Sequence, residues 1–104
     1  MAVLDSHQQF AILGLLRSGE VPGRQVREHL QREGFRFSRP AFYALMKRME
    51  TAGYVRGSYR QKEVDGVALR ERWYEIIADG AVAWEETWAF YMRQEKLRPA
   101  RGGS

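Results

Sequence analysis

The apolar residues of this chain recur at helical spacing as far as Gly53, alternate with a period of two between Val55 and Ile76, and return to helical spacing beyond. The change of period from about 3.6 to 2 and back marks a β-hairpin set between helices. With 104 residues and 44% hydrophobic content, the chain has material for one modest core and not for two. The expected fold class is mostly α with a β-hairpin, in the order helix, helix, helix, hairpin, helix.

Asp5 or Ser6 offers a cap to the first helix, in which Phe10, Leu13 and Leu16 form a stripe that Ile12 and Leu15 widen, and Ser18-Gly19 ends it. Pro22 fits the first turn of a second helix, short and polar, whose thin apolar face is Val26 and Leu30; Gly34 supplies its left-handed C-terminal cap. Phe35-Arg36-Phe37 alternates as a brief extended bridge would. The third helix spans Ser38 to Ala52. Pro40 is tolerated in a first turn and not in a helix interior, which leaves Ser38 or Arg39 as the cap. Phe42, Leu45, Met46 and Met49 make one buried stripe and leave Arg39, Tyr43, Lys47 and Arg48 off its centre. Gly53 closes the helix.

Beyond it, Val55, Gly57 and Tyr59 share one side, Tyr74 and Ile76 repeat the pattern, and Asp65-Gly66 is the tip. Arg56, Ser58, Arg60 and Lys62 take much of the remaining surface, so a long hairpin with a basic, flexible end is expected. The last helix starts between Ala78 and Ala81 and reaches Lys96. Ile77, Ala81, Trp84, Trp88 and Tyr91 form a coiled-coil-like seam along it, with acids early and bases late, as the helix dipole favours. Residues 97–104, with Pro99 and Gly102-Gly103-Ser104, are expected to be disordered. The expected organisation is a winged-helix domain over residues 1–77, a dimerisation helix over 78–96 and that tail.

Charge sharpens this reading. From Arg36 to Arg72, nine basic residues stand against four acids, a local balance of +5 in a chain of net +4, so the remainder sums to −1. A basic excess confined to the middle third suits a phosphate-binding face. Helix order and charge together point to a winged helix-turn-helix, in which the third helix enters the major groove of double-stranded DNA and the hairpin, the wing, touches the adjacent backbone. Ser38, Arg39, Tyr43, Lys47 and Arg48 are the candidates on the helix, and Arg56, Arg60 and Lys62 those on the wing. Each also has a plainer role: the helix cations as a solvated face, Tyr43 half-buried beside Phe42, and the wing cations guarding an edge strand against pairing with other chains.

Other classes are excluded. No apolar run approaches the ~18 residues of a membrane span, and Met1 to Ser6 does not look like a secretory signal, so a soluble, cytoplasmic protein is expected. Zero cysteines remove disulfides, thiolate metal sites and a thiol nucleophile. His7 and His29 stand in different expected helices without matched carboxylates, and no phosphate-binding glycine loop or hydrolase motif occurs. No catalytic residue, metal or cofactor is assigned, and the chain is not read as an enzyme.

The resemblance to a known family lies in Ile12-Leu13-Gly14-Leu15-Leu16, in the stretch from Ser38 to Gly53 with Phe42-Tyr43-Ala44-Leu45 and Lys47-Arg48-Met49-Glu50, and in Trp73-Tyr74-Glu75-Ile76 with Gly80. From about Phe10 to Tyr91 the chain resembles PadR-like transcriptional regulators, in a short form with a single C-terminal helix. The resemblance implies a homodimeric winged-helix repressor released from its operator by a small molecule, with Ser38, Tyr43 and Lys47 on the DNA-reading helix. It departs from the family at Pro22-Gly23-Arg24-Gln25, which retains only the glycine of a His-Gly-Tyr-Glu element. Pro40 stands where glycine is usual, and Ile77 replaces a capping threonine, which moves the expected start of the last helix to Asp79.

Two tryptophans and a tyrosine on one helix are too much apolar surface to leave uncovered. Trp84 and Trp88 either pack on the chain's own helices or join Ala81 and Tyr91 in an interface with a second copy. A homodimer would set two recognition helices about one DNA turn, roughly 34 Å, apart. Such an interface could also stack a small aromatic effector on Trp84 and Trp88. The rival reading is an adaptor whose Trp84-Trp88 helix binds another protein.

Overall fold

The computed structural model of the protein describes residues 6–97. Its elements are α1 (His7–Leu16), β1 (Val21–Pro22), α2 (Gly23–Arg32), α3 (Arg39–Thr51), β2 (Val55–Val64), β3 (Val67–Ile76) and α4 (Ala78–Leu97). The strands form one antiparallel sheet in the order β1-β3-β2. Ser6 caps α1, its Oγ accepting from the Gln9 amide at 3.3 Å. The rival cap Asp5 and residues 98–104 of the expected tail lie outside the described residues, while Leu97 is the last residue of α4.

The core is the meeting of the stripes. Ile12, Leu13 and Leu16 of α1, Val26 and Leu30 of α2, and Phe42, Leu45, Met46 and Met49 of α3 are all buried, together with Val55, Tyr74 and Ala83. Burying a large side chain of this kind contributes about 1.5–3 kcal/mol, so four on α3 hold that helix firmly. Both α2 and α3 end in glycine-centred caps. At Gly34 (φ +94°) the Phe35 amide donates to the Leu30 carbonyl, and at Gly53 (φ +80°) the Tyr54 amide donates to that of Met49, each at 3.0 Å.

The hairpin follows the expected register: Val55 opposes Ile76, Gly57 opposes Tyr74, and Val64 opposes Val67 across the Asp65-Gly66 turn, where both residues have positive φ. Only its base touches the core. From Ser58 to Arg70 every residue is exposed, so the hairpin projects from the body. This projection and the long α4 raise the radius of gyration to 16.5 Å, against about 13 Å for a compact chain of this length.

Two local expectations are corrected, the place of Pro22 and the shift of the last helix to Asp79, and one short strand is new. Pro22 is the residue before α2, extended at φ −66°, ψ 145°, and not its first helical residue. It belongs instead to β1, where Val21 and Pro22 oppose Tyr74 and Trp73, a two-residue strand too short to leave a period in the sequence. Phe35-Arg36-Phe37 keeps the expected alternation, with Arg36 exposed and both phenylalanines packed on the core, and joins no strand among the described residues; Phe37 stacks on Phe42 at 5.6 Å. α4 begins at Ala78 despite Ile77, because the Ala81 amide donates to the Ile77 carbonyl at 2.9 Å and the Ile77 amide to that of Tyr54 at 3.1 Å.

On α4, the face turned to the body is centred on Gly80, Ala83 and Thr87, all buried. It lies to one side of the aromatic seam, whose pattern concealed it because small residues give a weak hydrophobic signal. The seam therefore divides. Trp84 stacks on Phe10 at 5.6 Å over the gap left by Gly14, and Tyr91 also meets Phe10, at 5.8 Å. Trp88 stacks on Trp84 but stays 47% exposed, beside the exposed Met92 and the half-buried Ala81.

Candidate nucleic-acid interface

α3 is fixed at both ends and along one side, which makes the rest of its surface a rigid display. Ser38 is its cap: the Oγ accepts from the Ala41 amide at 3.2 Å, Arg39 is the first helical residue, and Pro40 sits in the first turn where its missing N–H costs nothing. At 3.6 residues per turn, Arg39, Tyr43 and Lys47 follow one another along the flank facing the hairpin, Ala44 lies near the outermost line, and Arg48 occupies the other flank. Ser38, Arg39, Tyr43, Lys47 and Arg48, the five candidates on this helix and its cap, are all exposed.

Tyr43 combines the two roles open to it. Its ring meets Phe42 edge-on at 5.0 Å, yet 37% of the residue is exposed. Its hydroxyl lies beside Gly23, where an added Cβ would stand 3.2 Å from that oxygen and 3.1 Å from the Tyr74 ring. Glycine at the start of α2 thus lets two tyrosines of the site close over the backbone.

The hairpin has two distinct faces. Arg56, Arg60 and Lys62 alternate along one, but two of the three are already engaged: Arg56 binds Glu75 across the strands, its Nε donating at 2.6 Å, and Arg60 binds Glu20 while lying over Trp73 at 4.3 Å. Lys62 has no carboxylate partner among the described residues. The opposite face carries Tyr59, Arg70 and Arg72 in register with Gly57 and Tyr74, and it looks toward α3. Between them runs a crease. Tyr43, Lys47 and Glu50 line it with Tyr59, Arg70, Arg72 and Tyr74 over about 640 Å³, and a second stretch of about 450 Å³ adds Arg24, Arg39 and Lys62.

Within the crease Arg72 donates to Glu50, in the last turn of α3, at 2.6 Å. It lies across Gly57, where a Cβ would come within 2.6 Å of its guanidinium. Partial burial opposes the Arg72 charge, but the hydrogen bond and charge of Glu50 outweigh it and hold the arginine pKa above its ordinary value. Burial, helped by the Glu50 charge, pushes the Tyr74 hydroxyl up to about 12, so it is neutral at physiological pH.

Arg39, Lys47, Arg48, Lys62 and Arg70 are thus left with no carboxylate partner among the described residues, all on or beside the crease and α3. Sequence reasoning missed Arg70, Arg72, Glu50 and Tyr59 as members of the site. The alternation that puts Tyr59 with Tyr74 also puts Arg70 and Arg72 with them, and that signal was present. The pairing of Arg72 with Glu50 was not legible, since it joins residues 22 positions apart.

No family profile and no curated protein matches the chain. Solved structures do match. The chain is similar to a PadR family transcription regulator from Clostridium difficile (TM-score 0.75, 16% identity, 88% of this chain and 94% of that one). It is similar also to a PadR-like transcriptional regulator from Bacillus cereus (TM-score 0.70, 21% identity, 85% and 84%). A third similar structure is Bacillus subtilis PadR in complex with operator DNA (TM-score 0.60, 21% identity, 90% of this chain), of which the chain spans 49%. The fold is that of a PadR-like winged helix: four helices and a hairpin wing.

Proposed function

We propose that the chain is a sequence-specific, double-stranded DNA-binding transcriptional regulator, a repressor that binds as a homodimer with α3 in the major groove and the wing on the adjacent backbone. One observation carries the reading: Arg39, Lys47 and Arg48 stand exposed, with no carboxylate partner among the described residues, on a helix whose opposite side is locked into the core. A groove about 12 Å wide admits such a helix, and cations left unneutralised on it serve phosphates and base edges. The likeness to a structure solved with operator DNA supports DNA binding itself. On the wing, Lys62 meets the backbone first; Arg56 and Arg60 must exchange a carboxylate for a phosphate, a small cost for exposed pairs. Residues 6–77 then do the DNA work and α4 the assembly, through Ala81, Trp84, Trp88 and Tyr91, with Trp88 the surface on which a small aromatic effector would stack.

Titration of a DNA duplex across a salt series tests this. Log affinity should fall by about 0.9 per log unit of salt for each phosphate contacted, and Lys47→Ala or Arg48→Ala should flatten the slope. Undetectable binding at low salt would end the proposal. The exposed Val82, Trp88 and Met92 favour one other reading, an adaptor whose α4 binds a different protein. Sedimentation separates the two: a dimer at micromolar concentration supports the regulator, and a monomer supports the adaptor.

A further inference from the structure

Arg70 and Arg72 leave the same face of β3 two residues apart, and their guanidinium carbons lie 4.1 and 4.6 Å from the centre of the Tyr59 ring. What holds them differs. Arg72 is tied to Glu50 and half-covered, with 24% of its side chain exposed. Arg70 has no carboxylate partner among the described residues and lines both stretches of the crease together with Tyr43. Tyr59, 56% exposed, gives Arg70 an aromatic platform that restricts its motion without neutralising it.

We propose that Arg70 takes a DNA phosphate in the crease between α3 and the wing, and that Glu50 is a specificity-determining residue that withholds Arg72 from the backbone. The inference rests on the DNA-binding reading above. A planar guanidinium held beside Arg39 and Tyr43 matches a phosphate in shape and charge. Every phosphate contact strengthens binding to all sequences alike, whereas base-edge contacts distinguish them. A cation neutralised within the protein therefore lowers background binding and leaves base reading untouched. Glu50 has that effect on Arg72, and from the last turn of α3 it also sets where the wing stands relative to the reading helix.

Anisotropy titrations of a mixed-sequence DNA duplex with wild type, R70A, R72A, E50Q and the R72A/E50Q double variant over a salt series test the proposal. R70A should bind more weakly and lose about 0.9 from the slope of log affinity on log salt, so that raising salt from about 50 to 200 mM costs it about 3.5-fold less affinity than it costs wild type. E50Q should gain a similar amount in slope and bind the mixed duplex more tightly, because Arg72 is released to a phosphate. R72A alone should not steepen the slope, and combined with E50Q it should abolish the gain, because no guanidinium is then left to release. A wild-type slope in R70A, no steepening in folded E50Q, or a steepening that survives in the R72A/E50Q double variant would each overturn the proposal. R70A alters only β3 and keeps the test decisive should E50Q unfold. Wild type failing to bind at low salt is a separate result, and it would overturn the DNA-binding reading itself.

Discussion

At Gly80 the chain leaves no room for any side chain: a Cβ there would stand 2.0 Å from the carbonyl oxygen of Tyr54, which is backbone and cannot swing away. Gly80→Ala should therefore force α4 off the body and destabilise by about 3 kcal/mol or more, lowering Tm in thermal melts by over about 10 °C. Tyr74 gives a second prediction. Its folded pKa lies near 12 and its ordinary value is 10.0, so its contribution is fully present below pH 10 and is lost as pH rises through 12. Stability should fall by roughly 1.4 kcal/mol per pH unit across that window on account of this group, and Tyr74→Phe should flatten the decline. At this scale the sequence was only partly legible. Phe42, Leu45, Met46 and Met49 announced their burial by spacing. Gly57 and Gly80 did not announce what presses on them, because the Arg72 guanidinium and the Tyr54 carbonyl arrive from elsewhere in the chain.

Among the elements, α3 is the one whose precision matters most, and its start depends on one hydroxyl. Ser38→Ala removes the acceptor for the Ala41 amide and should cost about 1 kcal/mol, measured by denaturant unfolding, while the buried stripe keeps the helix in place. Because Pro40 and its neighbours would fray, duplex affinity should fall by more than the stability loss alone requires. α3 and the hairpin were the most legible parts of the sequence, since strong period and two glycines marked their limits. β1 was the least legible, being two residues drawn into the sheet by β3 and not by any preference of Val21 and Pro22. The wing was legible in length and turn but not in polarity. Arg56, Arg60 and Lys62 stand out in the sequence, yet the face toward α3 carries Tyr59, Arg70 and Arg72, which the alternation groups, and Arg56 and Arg60 are engaged by Glu75 and Glu20 in pairs that no local pattern records.

The whole molecule is elongated, 63 Å by 28 Å by 23 Å, with a basic crease on one side and an apolar strip on α4. That strip is narrower than the aromatic spacing implied, since Trp84 and Tyr91 lean on Phe10 and leave Trp88 and Met92 outward. If a second copy covers it, Trp88→Glu should shift sedimentation from dimer to monomer without lowering the helical content seen by circular dichroism. The same variant should weaken duplex binding, because two reading helices held together bind more tightly than one. Whether α3 reads the major groove is measured most directly by dimethyl sulfate probing of a duplex selected by the protein from a random pool. Guanine N7 lies in the major groove and adenine N3 in the minor. Major-groove reading by α3 predicts protection of guanine N7 in two patches about 10 base pairs apart, lost in Lys47→Ala. Protection confined to adenine N3, or guanines left open in a bound complex, would contradict it.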